Sequence, residues 1–594
     1  MNSETRNCQN CKRDFVVEPE DFQFYEKIKV PPPTWCPDCR SRRRMMWRNE
    51  RTFHKRKDFF GNDVVSIYSS ERPFTIYKQD YWWSDNWDPM EYGKDYDFSK
   101  SFFEQWRKLR DKIPLLNVSN SRAENSEFCN VNDKSKDCYL ISASFENERV
   151  MYSNRVGFDK DCVDMYVVSK CELCYEDVAC KESYGLTFSR NSDNCVNSSF
   201  LYDCRGCTSC FGCTNLRNKK YHFLNRPLSK EDYDRKISEL NLGSYSGIKK
   251  ARELFNEAYK KSIHRFAVII SSQNALGDNL INTKNCYQCF DLHGAEDCRY
   301  SNWGGFSLKG SYDGGPGIGA SSELIYESFD TVNDSRNAFT SVVYDSHDVS
   351  YSFNCHNSSH LFGCIGLRNK QYCILNKQYT KEEYKEMVEK IKKHMVDMPY
   401  IDKQGRVYKY GEFFPPELSP FSYNETIAQE YFPLTREQAV EQGYAWKDPD
   451  TREYKIARQP EDLPDNIKDV SDDVLKEIIG CFHKGECNEQ CTTAFKIIPQ
   501  ELQFYRKMNL PLPRLCPNCR HYQRLKQRNP LKLWKRQCMC NATNNQGQMT
   551  NDIYKNTAEH FHGDKPCPNE FETSYSPDRK EIVYCESCYQ SEVV

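Results

Sequence analysis

A cysteine module occurs twice in this chain, once near each end, and no other feature limits the possible folds as tightly. The segment from Cys11 to Cys36 aligns without a gap on the segment from Cys491 to Cys516. Phe15, Pro19, Gln23, Phe24, Tyr25, Lys27, Pro31 and Pro33 recur as Phe495, Pro499, Gln503, Phe504, Tyr505, Lys507, Pro511 and Pro513. The register continues through Cys39, Arg40, Arg44, Arg48 and Asn49, matched by Cys519, Arg520, Arg524, Arg528 and Asn529. Each copy offers four thiolates: Cys8, Cys11, Cys36 and Cys39, then Cys487, Cys491, Cys516 and Cys519. Two close pairs separated by 24 residues suit tetrahedral zinc, because each pair forms a knuckle and the intervening chain folds back. Pro37 and Pro517 then stand at an early position of a helix-compatible run, where a missing N–H costs nothing.

A smaller module follows each copy. Near the C-terminus, Cys567, Cys585 and Cys588 leave one ligand to be supplied by Cys538 or Cys540, with His560 and His562 outside the set. The segment Phe60 to Tyr81 aligns on it without a gap, and Phe60, Lys78 and Tyr81 stand where Cys567, Cys585 and Cys588 stand. That copy is expected to hold no metal, its aromatics (Tyr77, Tyr81, Trp82, Trp83, Trp87) forming a hydrophobic core instead. The larger modules resemble treble-clef fingers and the smaller ones zinc ribbons, classes common among nucleic-acid-associated proteins. The whole combination resembles large zinc-ribbon and treble-clef proteins of candidate-phylum bacteria, a group that implies no reaction. Two clefs and one live ribbon predict three zinc ions.

Residues 115 to 380 have a different texture, with Asn, Ser, Asp, Tyr and Cys among short apolar runs, and they too are duplicated. Phe211, Gly212, Cys213, Leu216, Arg217, Asn218 and Lys219 recur 151 residues later as Phe362, Gly363, Cys364, Leu367, Arg368, Asn369 and Lys370. After each copy Ser229 or Thr380 reads as a helix N-cap followed by acids. A looser period of 24, as from Cys138 to Cys162, and about half that interval, predicts stacked β-solenoid coils with cysteine as a small apolar filler. The alternative use of Cys204, Cys207, Cys210 and Cys213 is an iron–sulfur cluster, although the second copy keeps only part of that set. Gly314 to Ala320 is glycine-rich but lacks a following Lys-Ser/Thr, so it reads as a turn.

The chain has 83 Lys and Arg against 85 Asp and Glu, which excludes a uniformly basic coat. The positive charge is concentrated instead, in Arg40, Arg43, Arg44 and Arg48 and again in Arg520, Arg524, Lys526 and Arg528. Phosphate binding is the expected use of two such helices, and packing against acids of the same protein is the rival use. The 31 cysteines behind a polar start predict a cytoplasmic protein whose thiols are metal ligands or buried, with no membrane association.

These readings give a mainly β multidomain protein, treble-clef plus zinc-ribbon modules at both ends flanking a duplicated, cysteine-rich, β-solenoid-like middle with short helices. The segments are 1–58 (first clef), 59–114 (metal-free ribbon and helix), 115–262 and 263–396 (the two middle repeats), 397–480 (connector), 481–537 (second clef) and 538–594 (zinc ribbon). The expected function is a non-catalytic zinc protein that binds nucleic acid or a ribonucleoprotein. The alternative is a structural or assembly scaffold that binds proteins through the solenoid. A hydrolase ranks below both.

Overall fold

The computed structural model describes residues 2–448, 454–541 and 554–594. They are mainly strands with few helices. The chain divides into two compact units, each discontinuous in sequence. Unit 1 joins Met1–Val118 to Ala267–Asp448, and unit 2 joins Ser119–Phe266 to Pro449–Val594. Each unit therefore takes one terminal cysteine module and one middle copy, but not the copy adjacent in sequence. Among the described residues no helix is long and apolar enough to cross a membrane.

In unit 2 the middle copy pairs with itself in parallel at an offset of twelve. Asn130 lies beside Ser142, Ser142 beside Asn154 and Asn154 beside Tyr166, and the series continues through Val178, Arg190, Tyr202 and Thr214. Every third residue along most of this stretch has a positive φ, as at Asn191, Asn194, Asn197, Phe200 and Asp203. The residue after each such corner is buried. One column stacked at the twelve-residue offset runs Cys138, Val150, Cys162, Cys174, Leu186, Ser198 and Cys210, all buried. Each coil thus has four sides of three residues. Two coils account for the spacing of 24 seen in the sequence.

This geometry selects the residues. The interior of so tight a coil admits only small or slender side chains, and a buried thiol also needs an acceptor. The Cys174 Sγ donates to the carbonyls of Glu172 (3.3 Å) and Ser183 (3.7 Å), and the other ladder cysteines repeat this pattern. Asn, Asp and Gly take many corners because they tolerate the left-handed conformation, which costs other residues ~1–2 kcal/mol each. Phe188 and Phe200 occupy corners too, and they offset that cost by stacking at 4.7 Å in the core beside the ladder.

The unit 1 ladder follows the same rule with two departures. Its register starts at eleven residues, as at Ile269 and Leu280, reaches twelve at Gly277 and Cys289, widens to thirteen at Arg299 and Tyr312 and to fourteen at Lys309 and Glu323, then returns to twelve at Phe329 and Ser341. The wide coils carry the glycine-rich segment 314–320. Thr380 caps the helix Lys381–Asp397, and Ser229 caps Lys230–Leu240, as their sequences suggest.

The segment 397–480 is not the extended connector expected of it. Tyr408, Phe413, Phe414, Leu418 and Tyr423 are buried, with Phe414 packed against Trp47 (4.9 Å) and Trp106 (4.6 Å). Its Pro and acid content suggested exposure, but its regularly placed aromatics complete the core of unit 1. Its C-terminal part forms a 3-10 turn at Asp472–Lys476 and a strand at Ile479–Gly480.

Some interior positions hold acids. Asp159 and Asp334 each accept the backbone N–H of the residue twelve on, from Cys171 (2.7 Å) and Ser346 (2.8 Å), while their second oxygens have no partner. Burial pushes Asp159 up to about 7 and Asp334 up to about 8. A carboxyl raised in this way favours the fold while both states are protonated. It destabilises progressively as pH climbs from the ordinary value of 3.8 to about 7 for Asp159, by ~1.4 kcal/mol per pH unit. Asp159→Asn keeps an acceptor for Cys171. Its gain in melting temperature over the parent should grow from about pH 5 to about 7 and level off above that; a gain independent of pH would contradict the protonated reading.

Candidate metal centres and the basic helices

The N-terminal tetrad is assembled by a hairpin and a helix. Strands Glu4–Asn7 and Asp14–Val17 pair antiparallel, and the turn between them carries Cys8 and Cys11. Cys36 caps the helix Pro37–Met45, whose first turn contains Cys39. The Cys36 N–H donates to Cys8 Sγ (3.2 Å) and Asn10 Nδ2 donates to Cys39 Sγ (3.3 Å), bonds that favour sulfur in its thiolate form. Cys11 and Cys36 sulfurs lie 3.7 Å apart. A tetrahedral ion with Zn–S bonds of ~2.3 Å needs sulfurs about 3.8 Å apart, so these four can hold a metal ion.

The C-terminal tetrad is Cys481, Cys491, Cys516 and Cys519, with Cys481 in the place expected of Cys487. The hairpin explains the exchange. Cys481 directly follows the strand Ile479–Gly480, which pairs with Ala494–Phe495, as Cys8 follows Asn7. The Cys516 N–H donates to Cys481 Sγ at 3.2 Å, repeating the bond from Cys36 to Cys8. The knuckle here is a long loop, so pair spacing pointed to the nearer cysteine; the strand beside Ile479 was the usable signal. Cys487 instead lies 3.7 Å from Cys519 Sγ, grouped with His483 and Glu489.

In the last module Cys538 joins Cys567, Cys585 and Cys588. Cys567 Sγ lies 3.8 Å from Cys585 and 3.7 Å from Cys588, again tetrahedral edges. The Cys538 hydrogen bond, its largest influence, holds the Cys585 thiol down to about 4. Cys540 belongs to a different group with His560, His562 and Cys588. In the N-terminal counterpart, Tyr81 lies 4.8 Å from both Phe60 and Tyr77, and an aromatic cluster stands where the sulfurs would be.

Cys204, Cys207, Cys210 and Cys213 occupy the four inner positions of successive sides. Each thiol reaches carbonyls two residues back and nine residues on, Cys204 at 3.5 Å to both Tyr202 and Cys213 and Cys213 at 3.3 Å to Phe211 and 3.5 Å to His222. Ladder packing and hydrogen bonding account for them.

The basic helices are turned inward, which corrects the expectation of a phosphate-binding face on these arginines. Arg40, Arg43, Arg44 and Arg48 are buried, as are Arg520 and Arg524. In unit 1 Arg40 pairs with Asp313 (2.8 Å), Arg43 with Glu327 and Glu412 (both 2.8 Å), Arg44 with Asp313 (3.5 Å), and Arg48 with Glu50 (2.6 Å) and Asp330 (3.2 Å). Pro316 O accepts from Arg48 Nη1 (3.3 Å) and Gly315 O from Arg44 Nε (3.4 Å). Gly317, at φ +83, is required there, since a Cβ would lie 2.6 Å from Arg48 Nη1. The glycine-rich turn is therefore a seat for the helix.

Unit 2 repeats the arrangement. Arg520 (2.5 Å) and Arg524 (2.7 Å) share Asp164. Tyr152 donates to Glu501 (2.9 Å) and lies under the Arg520 guanidinium (4.5 Å), just as Tyr300 donates to Asp21 (3.1 Å) beneath Arg40 (5.5 Å). Lys526 is exposed and bonded to Glu489, and Arg528 is half-buried. Sequence reasoning missed Asp164 and Asp313 because each is a single acid far along the chain from the arginines it neutralises.

Compared with known proteins, the chain matches no family model and no curated protein sequence.

The two cysteines near the second hairpin should behave differently. Cobalt-loaded Cys481→Ser should lose the thiolate charge-transfer absorption of that tetrad and unfold its module, because a structural metal supplies ~10 kcal/mol or more of folding free energy. Cys487→Ser should retain the four-thiolate signature. The reverse pattern would restore Cys487 as the ligand.

Proposed function

We propose that this protein is a zinc-clamped, non-catalytic scaffold. In this reading each unit docks a treble-clef finger and a ribbon on the flank of a β-solenoid, and the outer coil faces are surface for binding other proteins. One observation carries it: in both units the helix that follows the last cysteine pair spends its arginines on a carboxylate of the adjacent ladder, Asp313 or Asp164. A desolvated guanidinium already paired with a carboxylate has no counterion to release, and its remaining donors are buried away from any phosphate. The outer faces favour the same reading. Cross-coil pairs such as Lys134–Glu146 (3.0 Å), Arg149–Asp161 (2.6 Å), Lys170–Glu182 (3.2 Å) and Arg336–Asp348 (2.7 Å) interleave both signs, leaving no single-sign stripe along these ladders. Zinc is the metal we assign to the four-thiolate groups, on their all-sulfur donor sets and tetrahedral edges.

A titration with mixed RNA and DNA tests the choice between scaffold and nucleic-acid binder. At about 50 mM salt, a condition that favours phosphate contacts, the zinc-loaded protein should show no steep, salt-dependent binding. Arg44→Ala should cost stability, up to about 3–5 kcal/mol for breaking a buried charge network in which Asp313 keeps only Arg40, measured by denaturant unfolding. Tight, salt-sensitive binding that is lost in Arg44→Ala while the fold survives would return first place to the nucleic-acid reading.

A further inference from the structure

We propose that the C-terminal module holds a second divalent metal ion, bound by Cys540, His560, His562 and Cys588, with the Cys588 thiolate shared between the two ions. The inference rests on the four-thiolate reading of Cys538, Cys567, Cys585 and Cys588 for its bridging ligand. The ligating atoms of the second group lie within 4.8 Å of one another, and Cys588 belongs to both groups.

The hydrogen bonds around the histidines identify which nitrogens are available. His562 Nδ1 lies 2.6 Å from the Lys565 carbonyl, which can only accept, so Nδ1 carries the proton and Nε2 presents its lone pair 3.4 Å from Cys588 Sγ. His560 Nε2 lies 2.9 Å from Glu592 Oε1. Glu592 Oε1 already accepts the backbone N–H groups of Thr557 (2.9 Å) and Ala558 (3.1 Å), so it faces His560 as an acceptor and Nε2 donates to it. That leaves His560 Nδ1 with a lone pair, buried and without a hydrogen-bond partner among the described residues. The side chain of His560 is 2% exposed, so water does not compensate it.

Each ring is therefore fixed by an acceptor on its outer nitrogen and aims its inner nitrogen at the sulfurs, the arrangement that orients histidine ligands in metal sites. Cys540 completes the set; it is buried, and Asn556 Nδ2 donates to its sulfur at 3.2 Å. The two rings lie nearly parallel, 5.3 Å apart. A divalent ion satisfies two lone pairs and two thiolates at once. Two nitrogens and two sulfurs suit zinc best among divalent metals.

The test uses the full chain purified with zinc. His560→Ala combined with His562→Ala should lower the zinc content by one ion per chain, with the other sites unaffected; unchanged zinc content would overturn the proposal. X-ray absorption at the zinc edge of the parent should show imidazole scattering that the double variant weakens. Its absence in the parent would overturn the proposal even if the variant fails to fold. Cys567→Ser touches only the four-thiolate group: zinc content unchanged by it would refute that underlying reading instead.

Discussion

In each unit two arginines from the helix that follows the last cysteine pair close on one aspartate at a ladder corner. Arg520 and Arg524 hold Asp164, and Arg40 and Arg44 hold Asp313. The ladder alone is a column of tight coils whose large side chains beside the inner columns, such as Phe188 and Tyr175, need cover; in unit 2 Tyr175 finds it against Phe504 and Tyr505. The buried ion pairs fix where that cover sits. A buried pair contributes little net stability compared with well-packed apolar groups, but breaking it strands a charge, so it fixes position. The tyrosines recurring beneath each arginine, and Asp21 or Glu501 beside them, give the two units the same lock from non-adjacent segments of the chain.

The four-cysteine groups, which can hold a metal ion, position this lock. The helix that carries the arginines starts at Cys36 or Cys516, each of which accepts its position from a sulfur on the preceding hairpin. Without an ion four thiolates at about 3.8 Å would repel, the knuckle and helix would part, and the arginines would lose their aim. The 24 residues between the paired cysteines are the structural reach that lets a hairpin and a helix share one ion.

Much of this was legible in the residues, and the failures have physical causes. The duplicated modules, the aromatic cluster at Phe60, Tyr77 and Tyr81, and the capped helices after Ser229 and Thr380 could be read because each depends on local spacing. The twelve-residue repeat was only half visible, since its inner columns alternate Cys, Val, Ser and Leu according to volume and no single residue type marks them. Cys481 was hidden by a knuckle whose length differs between the copies. The burial of the arginines was hidden most deeply: the sequence displays a positive run beginning at Cys39 or Cys519, while the neutralising acids stand singly at Asp164, Asp313 and Glu327.

A double-mutant cycle between Arg524 and Asp164 tests the central claim most directly. Denaturant unfolding of the zinc-loaded parent, Arg524→Ala, Asp164→Ala and the double variant yields the coupling energy between the two positions. An internal lock should give coupling of ~1.5 kcal/mol or more, because Asp164→Ala leaves Arg524 buried without its carboxylate and the added Arg524→Ala change removes that stranded charge. Additive effects within ~0.5 kcal/mol would mean that the arginine does not depend on the aspartate, and would contradict the account.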